Sequence, residues 1–370
     1  MKISLIHDWL RVNAGSEKVV REILLLYADK DIELYTLFNK LPLSDRKEIL
    51  QNKSCHTSIL QRLPGIESYY KSLLPILPFF MSRFKIRESD VYITSSHAIA
   101  KGARIPKGKL HICYCHTPMR YAWYLHQDYM QQLSGAKKWL AQKIMPFIKA
   151  WDLKTSAGVT HFIANSKHIQ QQILSIYGRQ STVIYPPVQT DKFTLNASPR
   201  KDFYLAVGRF VPYKKMDTII KAFMAMPDKK LVLIGESQEG RKISKWIGAS
   251  KNILWLGYQH DDELLLYMQN AKACLFAAKE DFGIMCVEVQ ATGTPVLALR
   301  YGGYCETVRE GLSGYFFNEQ SAEAIQEAVT QFESSPLQNH TEIHTWAQQF
   351  SVDVFNKKFS QFVEKQVDGI

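Results

Sequence analysis

The sequence predicts an α/β protein of two doubly wound domains, each a parallel sheet with helices on both faces. Three observations predict it. Short apolar runs alternate with amphipathic helical stretches along the chain. Those runs are rich in Val, Ile, Leu and aromatic residues and alternate little, as strands buried on both faces do. The length of 370 residues exceeds one ordinary domain of roughly 100–200 residues.

In chain order, the first half has expected strands at Lys2–His7, Ile32–Leu37, Val91–Ser95, Leu110–Cys115, Thr160–Ala164 and Thr182–Tyr185. The second half adds Phe203–Val207, Lys230–Ile234, Ile253–Leu256, Ala273–Phe276 and Pro295–Leu299. Between them, Glu17–Leu26, Lys167–Ile176, Lys215–Ala225 and Asp262–Gln269 carry helical periodicity. Repeated βα units imply doubly wound sheets. Pro186 and Pro187 forbid helix and stiffen the crossing between the halves. The expected division is therefore 1–187, 188–344 and a C-terminal helical segment 345–370, in which Thr345–Val367 reads as one helix. That segment is expected to pack back on the first domain.

Composition narrows the function. The apolar share is 46% and the charged share 22%, which excludes disordered and low-complexity classes. The apolar run Leu73–Met81 is far short of the ~20 residues that span a bilayer. The first residues, MKISLIHDWLR, do not read as a signal peptide. A cytoplasmic protein is expected, with its six cysteines reduced. Net charge is +11, all of it from the first half. Residues 1–195 hold 27 Lys and Arg against 14 Asp and Glu, and the rest hold 19 against 21. Without a zinc-finger, helix-turn-helix or RNA-binding spacing, that charge points to an anionic membrane surface rather than nucleic acid. Ile66–Ile86 is apolar and aromatic and flanked by Lys and Arg, and Leu133–Lys154 interleaves five lysines with Trp139, Phe147 and Trp151. Both read either as interfacial segments or as core segments with a solvated basic face.

Four stretches could carry chemistry. Asn13-Ala14-Gly15-Ser16-Glu17 follows the first strand and opens a helix. It reads as an anion-attracting helix start, Gly15 permitting close approach, or as an ordinary turn capped by Ser16. Gly208-Arg209-Phe210-Val211-Pro212-Tyr213-Lys214 again follows a strand. Arg209 supplies a fork and Lys214 a point charge, a pairing suited to a diphosphate. Glu280-Asp281-Phe282-Gly283-Ile284, with Glu288 in the following helix, offers two carboxylates and backbone N–H groups for sugar hydroxyls. It reads alternatively as a hydrolase acid/base pair or a solvated helix start. His116 ends the strand Leu110–Cys115. No GxGxxG fingerprint occurs in the chain, which argues against a nicotinamide dehydrogenase.

Together, GRFVPYKKMD, EDFGIMCVEVQATGTPV, the glycine-containing first loop and the YPPV linker resemble glycosyltransferase family 4 over nearly the whole chain. The stretch HTPMRYAWYL is similar to a subgroup that includes bacterial mannosyltransferases of O-antigen and exopolysaccharide assembly. The resemblance implies the GT-B fold, two Rossmann-like domains facing across a cleft, and a retaining transfer from a nucleotide sugar, expected to be GDP-mannose. It implies a lipid-linked or oligosaccharide acceptor and a peripheral place at the inner face of the plasma membrane. It implies Arg209 and Lys214 on the donor diphosphate and Glu288 on the ribose. Glu280, with the backbone of Phe282, Gly283 and Ile284, would hold the donor sugar, which His116 would also contact. Gly15 would let the first loop close over the phosphates. No metal or other cofactor is expected, since no DxD-like pair sits at a strand end. Rival expectations are a UDP-sugar donor and a non-catalytic nucleotide-binding partner in polysaccharide assembly. Two departures stand out: Ala14 precedes Gly15 where the family has two glycines, and Lys215 follows Lys214 where it often has glycine.

Overall fold

A computed structural model describes the chain except residues 132, 197–198, 238–242, 245–246, 249 and 370, and the side chain of residue 128. It divides into two compact units, Met1–Pro187 with Phe355–Ile370, and Val188–Val354.

The first unit holds a parallel sheet in the order β3-β2-β1-β4-β5-β6-β7. Its strands are β1 (Lys2–His7), β2 (Asp31–Thr36), β3 (Cys55–Thr57), β4 (Val91–Ser96), β5 (Leu110–Cys115), β6 (His161–Ala164) and β7 (Ser181–Val183). The second holds β8 (Tyr204–Val207), β9 (Leu231–Ile234), β10 (Ile253–Trp255), β11 (Ala273–Phe276), β12 (Val296–Leu299) and β13 (Gly314–Phe317), in the order β10-β9-β8-β11-β12-β13. All strand pairs are parallel. Each unit is thus a doubly wound α/β sheet.

The unalternating strands have a direct cause. On β8, Tyr204 and Ala206 enter one core while Leu205 and Val207 enter another on the opposite face. The same division holds for Ile3 and Leu5 against Ile6 on β1. Helices cover both faces, so both parities must be apolar.

Several expected boundaries shift. The strands β3 and β13 were absent from the sequence expectation. β3 is a three-residue edge strand, too short to show a pattern. β13 opens on Gly314, where a Cβ would collide with the Val296 backbone across the ladder. The expected C-terminal helix is interrupted. His340–Ala347 ends in a 3-10 turn at Gln348–Phe350, and a second helix spans Val352–Asp368. Phe350 is buried against Phe282 and Trp346, and Ser351 bridges to Val188, which breaks the helix. The second unit therefore extends ten residues past the expected 344 boundary, to Val354. Beyond it, Phe355, Phe359 and Val363 recur every four residues and fill the first unit's core.

Ile66–Ile86 forms short helical turns that bury Ile66, Tyr70, Leu77 and Met81 in the first unit's core. Leu133–Lys154 lies largely within the helix Gly135–Ser156. Among the described residues, no helix is long and apolar enough to cross a membrane. All six cysteines are free thiols.

One buried polar hub ties the first unit together. Lys101, in the 3-10 turn after β4, forms an ion pair with Asp152 on the helix Gly135–Ser156. Asp152 Oδ2 also accepts from Trp123 Nε1 at 2.8 Å and Tyr177 OH at 2.7 Å. Lys101 donates further to the Ala98 carbonyl at 3.2 Å. Burial works against the charged Lys101, but Asp152 outweighs it and holds the ammonium above its ordinary range.

Candidate functional site

In a doubly wound sheet, ligands collect at the carboxyl strand ends where the strand order reverses. In the second unit this point lies between β8 and β11. Two of the expected site stretches leave the sheet there.

The loop after β8 begins at Gly208, whose N–H donates to the Ile234 carbonyl at 3.0 Å. Gly235 crosses so close to Gly208 that a Cβ on it would collide with the Gly208 carbonyl. Two glycines therefore let the loop lie across the end of β9. Arg209 Nη2 donates to Tyr213 OH at 3.3 Å, and Lys214 Nζ stands 5.6 Å from the Tyr213 ring centroid. Both expected cations are thus gathered around one aromatic side chain. Lys214 also forms an ion pair with Glu280, in the loop between β11 and the helix Ile284–Ala291. The structure brings together three residues that the sequence places in two separate motifs.

The helix Ile284–Ala291 starts at Gly283, which has φ +90° and no side-chain cap. A Cβ there would strike the Tyr304 ring, and one on Gly303 would strike the Phe282 backbone. The Gly303 N–H donates to the Glu280 carbonyl at 2.9 Å. This packing holds Phe282–Ile284 in place, with Phe282 buried against Phe350. Glu288 lies one turn into the helix, with its side chain buried. The turn Thr292–Pro295 is structural: Thr292 Oγ1 donates to the Val289 carbonyl at 2.7 Å and Thr294 Oγ1 to Met268 at 2.6 Å.

The Lys215 departure has a geometric meaning. Lys215 sits at φ +55° between the 3-10 turn Pro212–Lys214 and the helix Met216–Met224. That left-handed conformation costs an L-residue about 1–2 kcal/mol, against about 0.5–1 kcal/mol of extra unfolded-state entropy for glycine. Lys215→Gly is expected to stabilise the protein by about 0.5–1 kcal/mol, read as a higher urea midpoint at unchanged slope.

In the first unit the order reverses between β1 and β4. The site there holds more than His116. His7, ending β1, is fully buried; its Nδ1 lies 2.9 Å from the Ser95 carbonyl and 3.1 Å from Ser95 Oγ. A carbonyl only accepts, so Nδ1 carries the proton and Nε2 is bare. Among the described residues, that Nε2 has no hydrogen-bond partner. Ser95 Oγ lies 2.8 Å from His116 Nε2. Ring centroids are 5.6 Å apart for His7 and His97 and 6.4 Å for His7 and His116. Burial lowers the pKa of all three imidazoles, and for His116 the neighbouring histidines and Arg120 add to it. All three are therefore neutral near pH 7.

Asp8 anchors this cluster. Its carboxylate accepts from the N–H groups of His97, Ala98, Ile99 and Ala100 at 2.5–3.1 Å and lies 3.1 Å from His97 Nδ1. Burial pushes Asp8 up, but His97, His7 and those N–H groups outweigh it and hold the carboxyl low. Gly15 is the first residue of its helix, and Ala14 is the N-cap. Ser16 does not cap it, as the ordinary-turn reading required, but donates to Glu17 at 2.7 Å. Glu17 is buried rather than solvated, and burial raises its pKa although His7 opposes.

Sequence reasoning missed His7, Asp8, Ser95 and His97. The signal was available: His7-Asp8 and Ser95-Ser96-His97 stand at strand ends, the argument already applied to His116. Among the described residues, no group of three or more His, Cys, Asp or Glu side chains is arranged to hold a metal ion.

Comparison with known proteins agrees with this architecture. The family model described as Glycosyltransferase Family 4 matches residues 14–192, and that of the glycosyl transferases group 1 matches residues 187–349. A D-inositol 3-phosphate glycosyltransferase of Mycobacterium sp. (strain KMS) is 29% identical over 174 residues, covering 41% of this chain and 40% of that protein. An uncharacterized glycosyltransferase of Methanocaldococcus jannaschii is 30% identical over 211 residues, covering 56% of this chain and 57% of its own. The matches thus span less than two thirds of the length of these curated relatives. Among solved structures, Anabaena HepE in complex with UDP has a TM-score of 0.74 at 15% identity, covering 99% of this chain and 100% of its own. The lipopolysaccharide outer core galactosyltransferase WaaB has a TM-score of 0.68 at 17% identity, over 99% and 100%. At such identities the likeness is one of fold.

Proposed function

The chain belongs to the family 4, group 1 glycosyltransferases of GT-B fold, and from that premise we propose that it is a retaining transferase moving mannose from GDP-mannose to a lipid-linked or oligosaccharide acceptor. In this reading it works in bacterial surface polysaccharide synthesis, in the cytoplasm at the inner face of the plasma membrane. The observation that carries the reading is the Lys214–Glu280 ion pair at the second switch point, beside Arg209. In this reading the pair sets a phosphate-binding cation beside a sugar-binding carboxylate.

The chemistry follows from charge. As the sugar–phosphate bond breaks, negative charge grows on the departing diphosphate. Arg209 and Lys214 stabilise that charge most at the transition state, where it is largest. These side chains supply the counter-charge, so the proposal calls on no metal. Glu280, with the backbone of Phe282, Gly283 and Ile284, holds sugar hydroxyls, and Glu288 holds the ribose. Gly15 and His116, on the first unit, take the roles that the family resemblance implies, on the phosphates and on the sugar. In a retaining transfer the acceptor arrives on the face the diphosphate leaves, so the leaving phosphate itself can take the acceptor proton.

A second reading is a UDP-sugar donor; the UDP bound to HepE favours it. Thermal shift with GDP, GDP-mannose, UDP and UDP-glucose separates the two, and the stabilising base names the donor. Binding without transfer or donor hydrolysis would instead make the chain a non-catalytic nucleotide-binding partner.

The two glutamates are expected to differ. Glu288→Ala should weaken free nucleotide and donor equally, since ribose contacts do not change through the reaction. Glu280→Ala should lower turnover while nucleotide affinity holds or improves, because Lys214 loses its competing partner. Calorimetric titration with nucleotide, run beside turnover, checks both; identical profiles would refute the division of roles.

A further inference from the structure

The helix Gly135–Ser156 is apolar on two faces. Its inward face, through Ile144, Ile148 and Trp151, packs into the first unit's core. Its outward face is a stripe at helical spacing: Trp139, Leu140, Lys143, Phe147 and Lys154. Trp139 is 61% exposed, Leu140 52% and Phe147 75%. Single exposed apolar residues are ordinary, but a row of three on one helix face marks an interaction surface.

Charge identifies what the surface meets. The helix carries Lys137, Lys138, Lys143, Lys149 and Lys154. Its one acidic residue, Asp152, is buried and paired with Lys101. Lys149 lies over the Trp123 ring at 5.0 Å. Of the remaining lysines, Lys137, Lys143 and Lys154 are exposed along the row and Lys138 is half-buried near its N-terminal end, with no carboxylate beside them from their own helix. A second copy of this chain docked face to face would set lysine against lysine. A bilayer containing acidic lipid offers both what the row lacks: apolar depth for Trp139, Leu140 and Phe147, and headgroup phosphates for the lysines.

We propose that the outward face of the helix Gly135–Ser156 seats the protein on an anionic lipid surface, with Trp139, Leu140 and Phe147 inserted and Lys137, Lys138, Lys143 and Lys154 on the headgroups. The seat does not depend on the transfer reaction, and nucleotide binding is measured separately from it.

Flotation of the full chain with two kinds of vesicle tests it: phosphatidylcholine alone, and phosphatidylcholine mixed equally with phosphatidylglycerol. Recovery is expected with the acidic vesicles only and falls as salt rises. Replacing Lys137, Lys138, Lys143 and Lys154 by Glu should lower binding at least ~10-fold. Replacing Trp139, Leu140 and Phe147 by Ser should remove the part of binding that survives high salt. Apart from the half-buried Lys138, every replaced residue is exposed, so unchanged thermal melts and nucleotide affinity confirm that the variants are folded. Equal recovery on both vesicle types, or variants that bind like the parent, overturns the proposal. So does a protein that ignores vesicles but dimerises in sedimentation until the three apolar residues are replaced.

Discussion

Asp152→Ala is expected to destabilise the first unit by about 3–5 kcal/mol, the cost of stranding one partner of a buried ion pair. The loss reaches beyond the pair. Lys101 would keep its charge in the core with the Ala98 carbonyl and the face of the Tyr177 ring in place of a carboxylate, and Trp123 Nε1 and Tyr177 OH would lose their shared acceptor. A whole domain is stable by only about 5–15 kcal/mol, so a large fall in soluble yield and in unfolding midpoint is expected. The double variant Lys101→Met, Asp152→Leu removes both charges and should regain part of the loss. It cannot regain all, because each unpaired buried donor costs about 1–3 kcal/mol. An Asp152→Ala protein within about 1 kcal/mol of the parent, against that 3–5 kcal/mol expectation, would show that the hub is not holding the helix Gly135–Ser156 to the sheet.

Turnover should fall at least ~100-fold on Arg209→Ala or Lys214→Ala, the scale of losing one group aimed at developing charge. Both residues lie in the loop beyond β8, outside the apolar cores, so thermal melts should move little. Lys214→Ala also removes the ion-pair partner of Glu280, while Arg209→Ala leaves the Lys214–Glu280 pair intact. The two variants should therefore match in lost turnover and differ in sugar dependence. Near-normal turnover in both would refute the diphosphate assignment.

Much of the site is legible in the chain. Arg209, Lys214, Glu280 and His116 all follow short apolar strands, and strand ends in doubly wound sheets are where ligands collect. Their partners are not legible. Lys214 and Glu280 are 66 positions apart, and His7 and Ser95 are 88 apart. No local pattern registers such a pair. It exists because β8 adjoins β11 and β1 adjoins β4, and those neighbours are set by the winding of the sheet. The Lys215 departure is visible as a residue type, but its left-handed backbone is a property of the folded turn.

The sequence by itself determined the two doubly wound sheets, because continuous apolar strands between amphipathic helices have few other ways to bury both faces. It determined the strand-end stretches that carry Arg209, Lys214, Glu280 and Glu288. Tertiary structure decided which polar groups share a pocket of low dielectric: the Lys101–Asp152 hub, the His7–Ser95–His116 chain and Asp8 under four N–H groups. It also decided which apolar residues of Leu133–Lys154 enter the core and which face out. Periodicity shows that a helix has an apolar stripe, but Gly135–Ser156 has two. Only contact with the sheet tells the buried one from the exposed one, since burial depends on the neighbours a residue meets and not on its own hydrophobicity.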